Sequence, residues 1–374
     1  MTIVIAAGGT GGHLYPAIAL AKEFQRRDPM TNILFVGTTR GLESKVLGHE
    51  GFDLALISAK PIMGRGLAGM LSGVCAMPVS LWQSAMILRQ RRADLVIGVG
   101  GYTSPMMVMA AMLRGVPRVI LEPNAYPGLA NKAVGPFVQR VFLAFGTAAA
   151  SFNASKVRVV GTPIRREFFT RASSLSSAKV PNGPHVLVFG GSQGAKAVNT
   201  AAIEGLPEVL RRHPAAAVTH QTGEMDFMRV KEAYERAGVS VNVVPFIYDM
   251  PAAINGADVV VARAGAMTVA ELAACGKPAI LVPLPTAIYD HQAKNAKVME
   301  EAGAAVVIAQ GELSGAKLAD ALAGILDDPD KMRAMGAASL SLRRMDAAEA
   351  IVRECYALIG DQHDANQSLG AAGV

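Results

Sequence analysis

Short apolar runs rich in β-branched residues recur along the whole chain, and segments with helical periodicity separate most of them. In the first half these runs predict strands at 2–7, 33–37, 53–58, 94–99, 117–121 and 140–144. In the second half they predict strands at 185–190, 216–220, 241–244, 258–262, 279–282 and 305–308. Helical patterns lie between them, for example over Pro16–Arg27 and Ala293–Ala302. Because strands that alternate with helices form βαβ units, the sequence predicts an α/β protein with two parallel-sheet, Rossmann-like domains.

The first strand of each half ends in a glycine-rich turn that leads into a helical pattern. The two turns read Gly8-Gly9-Thr10-Gly11-Gly12-His13 and Gly190-Gly191-Ser192-Gln193-Gly194-Ala195. Glycine allows close approach to the backbone, and a helix N-terminus attracts an anion such as phosphate. The first turn has Leu14 where a dinucleotide fingerprint has its third glycine, and neither turn has the Lys-Ser/Thr pair of a P-loop. A tight strand-to-helix turn alone also favours glycine, but two such turns suggest two domains that face one cleft and share a phosphorylated ligand.

The composition of residues 161–184, with several serines, prolines and glycines, is typical of a linker. We therefore predict one domain over 1–160, a second over 185–345, a C-terminal helix over 346–360 that packs back on the first domain, and a disordered tail over 361–374. Three widely spaced cysteines predict neither a disulfide framework nor a metal site. No basic segment precedes the first strand, so we expect no signal peptide.

The net charge of +6 is modest and could serve nucleic acid, anionic lipid or a phosphorylated substrate. Aromatic residues make up only 5% of the chain and do not alternate with basic ones, so we predict no nucleic-acid partner.

The segment Gly66–Leu88 contains no charged residue. A bilayer-spanning helix there would split one domain, and glycine, proline and polar residues dilute the segment, so we reject that interpretation. Basic residues flank it on both sides, namely Lys60, Arg65, Arg89, Arg91 and Arg92. This pattern predicts a face that lies on an anionic membrane, and a packed helix with a solvated basic end is the alternative.

In the first half, candidate catalytic and sugar-binding residues follow predicted strands. His13 closes the first glycine turn and is a candidate general base. Tyr102 follows the strand 94–99, and Glu122 and Asn124 follow the strand 117–121. Carboxyl ends of parallel strands are where open α/β folds bind ligands. The alternatives are capping or loop packing for His13, a simple turn at Tyr102 and helix N-capping by Asn124.

In the second half, Arg165 in the linker is a candidate phosphate ligand, and a surface arginine is its alternative. The segment Arg263–Glu271 follows a strand and begins a helix, where Glu271 could accept hydrogen bonds from ribose hydroxyls. Gln292 and Asn295 lie three residues apart on one predicted helix face and suit sugar hydroxyls. Asp328-Pro329-Asp330 resembles a metal-binding Asp-x-Asp motif, but no strand precedes it, so we interpret it as a turn and predict no metal site.

Taken together, these motifs resemble the MurG family of glycosyltransferase family 28, the bacterial enzymes that add N-acetylglucosamine to the lipid-linked muramyl-pentapeptide precursor of peptidoglycan. The resemblance extends from the first glycine turn to about Ala304 and rests on the order of four motifs: the two glycine turns, Gly100-Gly101-Tyr102, and Thr268-Val269-Ala270-Glu271. It implies a GT-B fold, an acceptor-binding and membrane-facing first domain, and a second domain that binds UDP-N-acetylglucosamine.

The resemblance also implies roles for individual residues. The predicted catalytic residues are His13 as the base, with Tyr102 and Glu122 on the acceptor side. The predicted substrate-binding residues are Thr10, Gly11, Gly12, Asn124, Arg165, Ser192, Ile247, Arg263, Ala266, Met267, Thr268, Val269, Ala270, Glu271, Gln292 and Asn295. Within this set, Arg165 and Ser192 would address the diphosphate, Ile247 the uracil, and Glu271 the ribose. No cofactor is implied.

The implied reaction is an inverting transfer to the C4 hydroxyl of undecaprenyl-diphosphate-linked N-acetylmuramyl-pentapeptide, at the cytoplasmic face of the inner membrane. The implied partners are the donor, the lipid-linked acceptor, an anionic membrane surface and other proteins of cell-wall synthesis. The family often has His-Glu-Gln-Asn where this chain has Leu121-Glu122-Pro123-Asn124, which leaves the role of Glu122 open. The rival interpretations are another GT-B transferase, a UDP-sugar epimerase, a dinucleotide-dependent oxidoreductase and a non-catalytic nucleotide sensor.

Overall fold

The computed structural model describes residues 1–8, 11–38, 43–59, 66–169, 183–285 and 290–371. The chain divides into two compact units. The first unit comprises Met1–Ile164 and Asp346–Val374, and the second comprises Arg165–Met345. Each unit has its own sheet and its own core.

The first unit contains a seven-stranded sheet in which every pair of neighbours is parallel. Its strands are β1 (Thr2–Ala7), β2 (Asn32–Gly37), β3 (Asp53–Leu56), β4 (Leu95–Gly100), β5 (Arg118–Glu122), β6 (Arg140–Leu143) and β7 (Val157–Val159). The spatial order is β3-β2-β1-β4-β5-β6-β7, so the direction of chain progression reverses between β1 and β4. Apart from Thr2 at the start of β1, the residues of β1 and β4 are apolar or glycine and buried, as expected for strands covered on both faces.

Six helices accompany this sheet in the described part of the first unit. They are α1 (Gly11–Arg27), α2 (Glu43–Glu50), α3 (Gly66–Arg91), α4 (Thr103–Leu113), α5 (Leu129–Val134) and α13 (Ala347–Ala371). The C-terminal helix α13 packs on α1, and Ile351, Val352 and Cys355 are completely buried in the same core cluster as β1.

The second unit contains a six-stranded parallel sheet in the order β10-β9-β8-β11-β12-β13. Its strands are β8 (His185–Phe189), β9 (Ala217–Gln221), β10 (Asn242–Val244), β11 (Val259–Ala262), β12 (Ala279–Leu281) and β13 (Ala305–Val307). Its helices are α6 (Lys196–Arg212), α7 (Phe227–Arg236), α8 (Met250–Gly256), α9 (Ala266–Cys275), α10 (His291–Glu301), α11 (Gly315–Leu326) and α12 (Pro329–Ser341). The chain progression reverses between β8 and β11.

The predicted α/β class with two parallel sheets is confirmed, and each of the twelve predicted strands is present within two residues at either end. β7 was not predicted, because it has only three residues and the charged Arg158 at its centre. Helix α13 continues to Ala371, past the expected end at 360, so most of the segment expected to be disordered is helical. Residues 361–369 contain neither glycine nor proline, and nothing in their sequence therefore stops the helix.

No helix in the described ranges is long and apolar enough to cross a membrane. Asp328 begins α12, and its side chain accepts a hydrogen bond from the Lys331 N–H, so the Asp-Pro-Asp segment is a helix N-cap rather than an isolated turn. Among the described residues, no group of three or more histidine, cysteine, aspartate or glutamate side chains is arranged to hold a metal ion.

Candidate active site

In each unit several of the predicted site residues lie where the order of the strands reverses. In the first unit β1 leads into the first glycine turn, and the neighbouring β4 leads into Tyr102. In the second unit β8 leads into Gly190–Gly194, and the neighbouring β11 leads into the start of α9. The carboxyl ends of parallel strands at such a reversal are the usual ligand site of an open α/β sheet.

The structure brings His13 next to the turn that follows β4. His13 is the third residue of α1 and is half-buried. A side chain built on Gly100 would place its Cβ only 2.6 Å from His13 Nε2, so the imidazole lies directly against the Gly100 backbone. Gly101 has φ +75° and its missing Cβ leaves room for the carbonyl of Gly8. Glycine at 100 and 101 therefore allows β1 and β4 to deliver His13 and Tyr102 to one place.

Tyr102 occupies the N-cap position of α4 and is exposed over nearly half of its surface. No side chain caps this helix end, and its first turn holds no acidic residue. The hydroxyl groups of the next two residues, Thr103 and Ser104, are buried and have no hydrogen-bond partner among the described residues. The start of α4 thus combines a positive helix end with an accessible phenol, which is compatible with an anionic or sugar ligand.

Glu122 is only 1% exposed, and its carboxylate accepts four hydrogen bonds. Oε1 accepts from the backbone N–H and the side-chain amide of Asn124, each at 3.0 Å. Oε2 accepts from the Gly128 N–H at 2.9 Å and from Asn131 Nδ2 at 3.0 Å. Burial raises the pKa of Glu122, and the four hydrogen bonds oppose that shift. Both oxygens thus hold the loop 124–128 and position Asn124, and the catalytic role of Glu122 stays a prediction.

In the second unit, the glycine turn Gly190–Gly194 is seated on the turn that follows β9. Gly194 has φ +74°, and a Cβ there would collide with the Thr222 carbonyl. Gly223 has φ +80°, and a Cβ there would collide with the Gln193 carbonyl. The two turns therefore touch through their backbones, and this contact presents Ser192 with an exposed side chain.

Helix α9 begins at Ala266 without a side-chain cap and without an acidic residue in its first turn. The side chains of Ala266, Met267 and Val269 are buried, so this turn offers a ligand its backbone N–H groups and the half-buried side chain of Thr268. Glu271 lies on the second turn, where burial raises its pKa to about 8 and attraction to the Arg165 guanidinium opposes the shift. Among the described residues none donates a hydrogen bond to this carboxylate. Arg165 itself lies 5.3 Å from the centre of the Phe168 ring, in a cation–π contact.

Three predicted ligand residues of the second unit instead hold loops together. Arg263 donates to the carbonyls of Val282 and Pro283 at 3.1 and 3.3 Å, and to Gln310 at 2.7 Å. Asn295 is completely buried and donates to the Ala264 carbonyl at 3.2 Å, and Gln292 accepts from the Leu284 N–H at 3.0 Å. In this structure the Asn295 side chain is buried and holds the loop after β11, so direct sugar contact by Asn295 stays a prediction. Gln292 is only half-buried and stays a candidate sugar ligand.

The other predicted ligand residues are placed as follows. Thr10 lies outside the described residues, whereas Gly11 and Gly12 open α1. Ile247 is half-buried between β10 and α8. Thr268 and Ala270 are half-buried on the first turns of α9. The end of β9, where His220, Gln221 and Thr222 are three successive buried polar residues, was not predicted. The sequence contains a pattern that could have indicated this site, because three polar residues followed by Gly223 end a strand, as glycine does after the strands of the other site motifs.

Comparison with known proteins gives consistent matches over most of the chain. The family model described as the glycosyltransferase family 28 N-terminal domain matches residues 3–143, and the model of the family 28 C-terminal domain matches residues 185–351. A Syntrophus aciditrophicus protein is 47% identical over 96% of this chain and 98% of its own length, and a Geobacter sulfurreducens protein is 42% identical with the same coverage. Both carry the name UDP-N-acetylglucosamine–N-acetylmuramyl-(pentapeptide) pyrophosphoryl-undecaprenol N-acetylglucosamine transferase.

Solved structures agree with this assignment. The crystal structure of Acinetobacter baumannii MurG superposes with a TM-score of 0.75 at 28% identity and covers 95% of this chain and 98% of its own. The Neisseria meningitidis UDP-GlcNAc 2-epimerase superposes with a TM-score of 0.69 at 13% identity, over 94% of this chain and 99% of its own, which shows a common fold alone.

Proposed function

The chain belongs to glycosyltransferase family 28, and from this premise we propose that it transfers N-acetylglucosamine from UDP-N-acetylglucosamine to undecaprenyl-diphosphate-linked N-acetylmuramyl-pentapeptide. The observation that carries the substrate assignment is the 42–47% identity, over 96% of the chain, to relatives named for this reaction. The chain is thus an N-acetylglucosaminyltransferase with a GT-B fold, and its product is the lipid-linked disaccharide used in peptidoglycan synthesis.

We infer that the two units divide the substrates between them. In the second unit the uncapped start of α9, Ser192 and Arg165 provide N–H, hydroxyl and guanidinium donors for a diphosphate, and Glu271 is placed for the ribose. In the first unit His13 and Tyr102 lie at the strand reversal and serve the acceptor sugar. Asn124, held by Glu122, serves the donor sugar.

The proposed reaction is a single displacement with inversion. His13 takes the proton of the acceptor C4 hydroxyl while its oxygen forms a bond to the anomeric carbon of the donor. The bond from that carbon to the β-phosphate oxygen breaks, and UDP leaves with the bonding electrons. Backbone N–H groups at the start of α9 and the Arg165 guanidinium stabilise the charge that develops on the diphosphate.

The experiment that tests this function measures UDP release from UDP-N-acetylglucosamine, with and without the lipid-linked acceptor, in the presence of EDTA. Release that depends on the acceptor and survives EDTA supports the proposal. Binding of UDP-N-acetylglucosamine without acceptor-dependent release contradicts it, and would point to the epimerase or sensor interpretation.

We further propose that α3 docks on the cytoplasmic surface of the inner membrane. The described side chains of this helix include three exposed apolar residues, Met77, Val79 and Trp82, and Trp82 is 65% exposed. Arg89 and Arg92 lie exposed at the C-terminal end of the helix. Side chains of residues 66–75 lie outside the described part, so the proposal rests on the C-terminal half of the uncharged segment. A lipid-linked acceptor requires access to a membrane surface, and an apolar face with a basic rim provides it.

Changing Trp82 to serine is expected to weaken binding to vesicles that contain anionic phospholipid by about 5–30-fold, because partial burial of this side chain contributes about 1–2 kcal/mol. Co-sedimentation at low and high salt measures the effect. Met345→Ser is the matched control, since Met345 is 63% exposed but lies in the second unit. Binding that responds to neither Trp82→Ser, salt nor anionic lipid would contradict docking through α3.

A further inference from the structure

Three successive polar residues at the end of β9, His220, Gln221 and Thr222, are almost completely buried. Buried polar groups cost free energy unless they are hydrogen-bonded. None of the three was predicted to contact a substrate, and none lies at the surface. Their contacts, however, lead to two segments that the proposed function assigns to the donor: Gly194 packs against the Thr222 carbonyl, and Gln221 donates to the Pro245 carbonyl.

The hydrogen bonds of His220 have a defined direction. Asn199 Nδ2 donates to the Thr222 carbonyl at 2.9 Å and to Asp226 Oδ2 at 2.7 Å, so Asn199 Oδ1 is the acceptor that faces His220 Nε2 at 3.1 Å. Nε2 therefore carries the proton, and Nδ1 accepts from the Tyr234 hydroxyl at 2.9 Å. Burial lowers the pKa of His220 to about 4, which keeps the ring neutral and preserves this arrangement.

The same chain of hydrogen bonds ends at the seat of the glycine turn Gly190–Gly194. The Thr222 carbonyl that accepts from Asn199 is the atom against which Gly194 packs. A short run of bonds thus leads from Tyr234 through His220 and Asn199 to Thr222. Asn199 also donates to Asp226, and Arg229 holds that carboxylate in place with hydrogen bonds of 2.6 and 2.7 Å.

The middle residue of the trio acts on the second segment. Gln221 Nε2 donates to the Pro245 carbonyl at 3.1 Å, two residues before Ile247. The Thr222 N–H donates to the Val244 carbonyl at 3.0 Å, where β10 ends. The end of β9 therefore holds both the glycine turn that carries Ser192 and the segment that carries Ile247.

We propose that the end of β9 positions the two donor-binding segments, and that its two branches act on different parts of the donor. Asn199, which is hydrogen-bonded to His220 and through it to Tyr234, fixes the position of the glycine turn that binds the diphosphate. Gln221 fixes the position of the segment 245–247 that binds the uracil. All four are positioning residues that touch no substrate, and the inference rests on the proposed assignment of Ser192 to the diphosphate and Ile247 to uracil.

The experiment compares the affinities of the full-length protein for uridine, UDP and UDP-N-acetylglucosamine by titration calorimetry or competition. Asn199→Ala is expected to weaken UDP about 10-fold, and Tyr234→Phe about 3-fold, while uridine changes by less than about 2-fold. Gln221→Leu is expected to weaken uridine and UDP by the same factor. Steady-state kinetics should show a higher donor KM in each variant with an unchanged acceptor KM.

Val209→Ala is the matched control, because Val209 is buried in the same core but near the other end of α6. It is expected to lower stability without changing the affinity for any of the three ligands. Hydrogen exchange of the peptide that spans 190–195 should accelerate in Asn199→Ala and Tyr234→Phe but not in Val209→Ala. If Asn199→Ala does not fold, Tyr234→Phe, which removes one oxygen atom, carries the test.

Equal losses for uridine and UDP in Tyr234→Phe, or no loss in any variant, would overturn the inference. Failure of the proposed function is a different result: the wild-type protein would then bind no UDP, or would release none when acceptor is present.

Discussion

Changing His13 to alanine is expected to lower the turnover number of sugar transfer by about 10²–10⁴-fold, because proton removal from the acceptor hydroxyl loses its base. The structure supports this expectation through the position of the ring, which lies against Gly100 at the strand reversal of the first unit. The affinity for UDP-N-acetylglucosamine should change little, since the residues that we assign to the nucleotide belong to the second unit. Single-turnover measurement of UDP release with bound acceptor separates the chemical step from binding.

Added imidazole distinguishes a lost base from lost packing. The alanine variant leaves a space beside Gly100 that a free imidazole can enter, and partial recovery of turnover is expected. Glu122→Gln provides the comparison, because it places an amide donor against the N–H donors of Gly128 and Asn131. That variant should lose stability by about 1–3 kcal/mol, and imidazole should restore nothing. Near-normal turnover of His13→Ala would show that another group is the base.

The second large effect is expected at Glu271. Changing it to glutamine should raise the donor KM by about 10–100-fold. A carboxylate that accepts hydrogen bonds from two ribose hydroxyls contributes about 1.4–2.8 kcal/mol more to the binding free energy than a neutral amide does. A donor analogue that lacks the ribose 2′-hydroxyl supplies the test. It should bind the wild-type protein more weakly than the normal donor, and the two should bind Glu271→Gln almost equally. Equal discrimination in both proteins would contradict the assignment.

The pH dependence follows from the same carboxyl group. Its pKa is raised to about 8 in the ligand-free protein, so it is largely protonated at pH 6 and becomes ionised as the pH passes 8. Because the ionised form is the better acceptor, the donor KM should fall between pH 6 and 8 and level off above. In Glu271→Gln this slope should disappear. Glu235→Gln, which removes an exposed carboxylate on α7, should keep it.

The stability of the ligand-free protein should respond in the opposite direction. The folded-state pKa of Glu271 lies above its value of 4.5 in the unfolded chain, so folding favours the protonated form. Its contribution to stability is complete below pH 4.5 and is lost as the pH rises towards 8. Denaturation of the wild-type protein and of Glu271→Gln across this interval measures the difference.

The elements that the sequence predicts best are those whose signal is local. After their first residues, Thr2 and His185, β1 and β8 are continuous apolar runs that lead into glycine, a pattern typical of a buried strand followed by a tight turn. β7 was not predicted, because a strand of three residues with Arg158 at its centre is too short to show a hydrophobic pattern. The gathering of His13 and Tyr102 could also be predicted, since parallel strands bring their carboxyl ends to one edge.

The sequence does not indicate which face of a helix or loop is covered by the rest of the protein. Gln292 and Asn295 have the same residue chemistry and the same helix, yet one is half-exposed and the other is completely buried under the loop after β11. The four donors that surround Glu122 come from residues two to nine positions away, and only the folded loop assembles them. The contact between Gly194 and Thr222 joins two turns. In the sequence each glycine is explained by its own tight turn, so nothing indicates that the two turns touch.

The placement of α13 in the core of the first unit has a consequence for synthesis of the chain. Residues 165–345 form one continuous unit, whereas the first unit needs residues from both ends of the sequence. During translation the second unit can therefore fold as soon as it has left the ribosome. The first unit must wait, because Ile351, Val352 and Cys355 are made after it. The part of the protein that is synthesised first is thus the last to be completed, and a chain cut short at residue 345 would lack a wall of its N-terminal core.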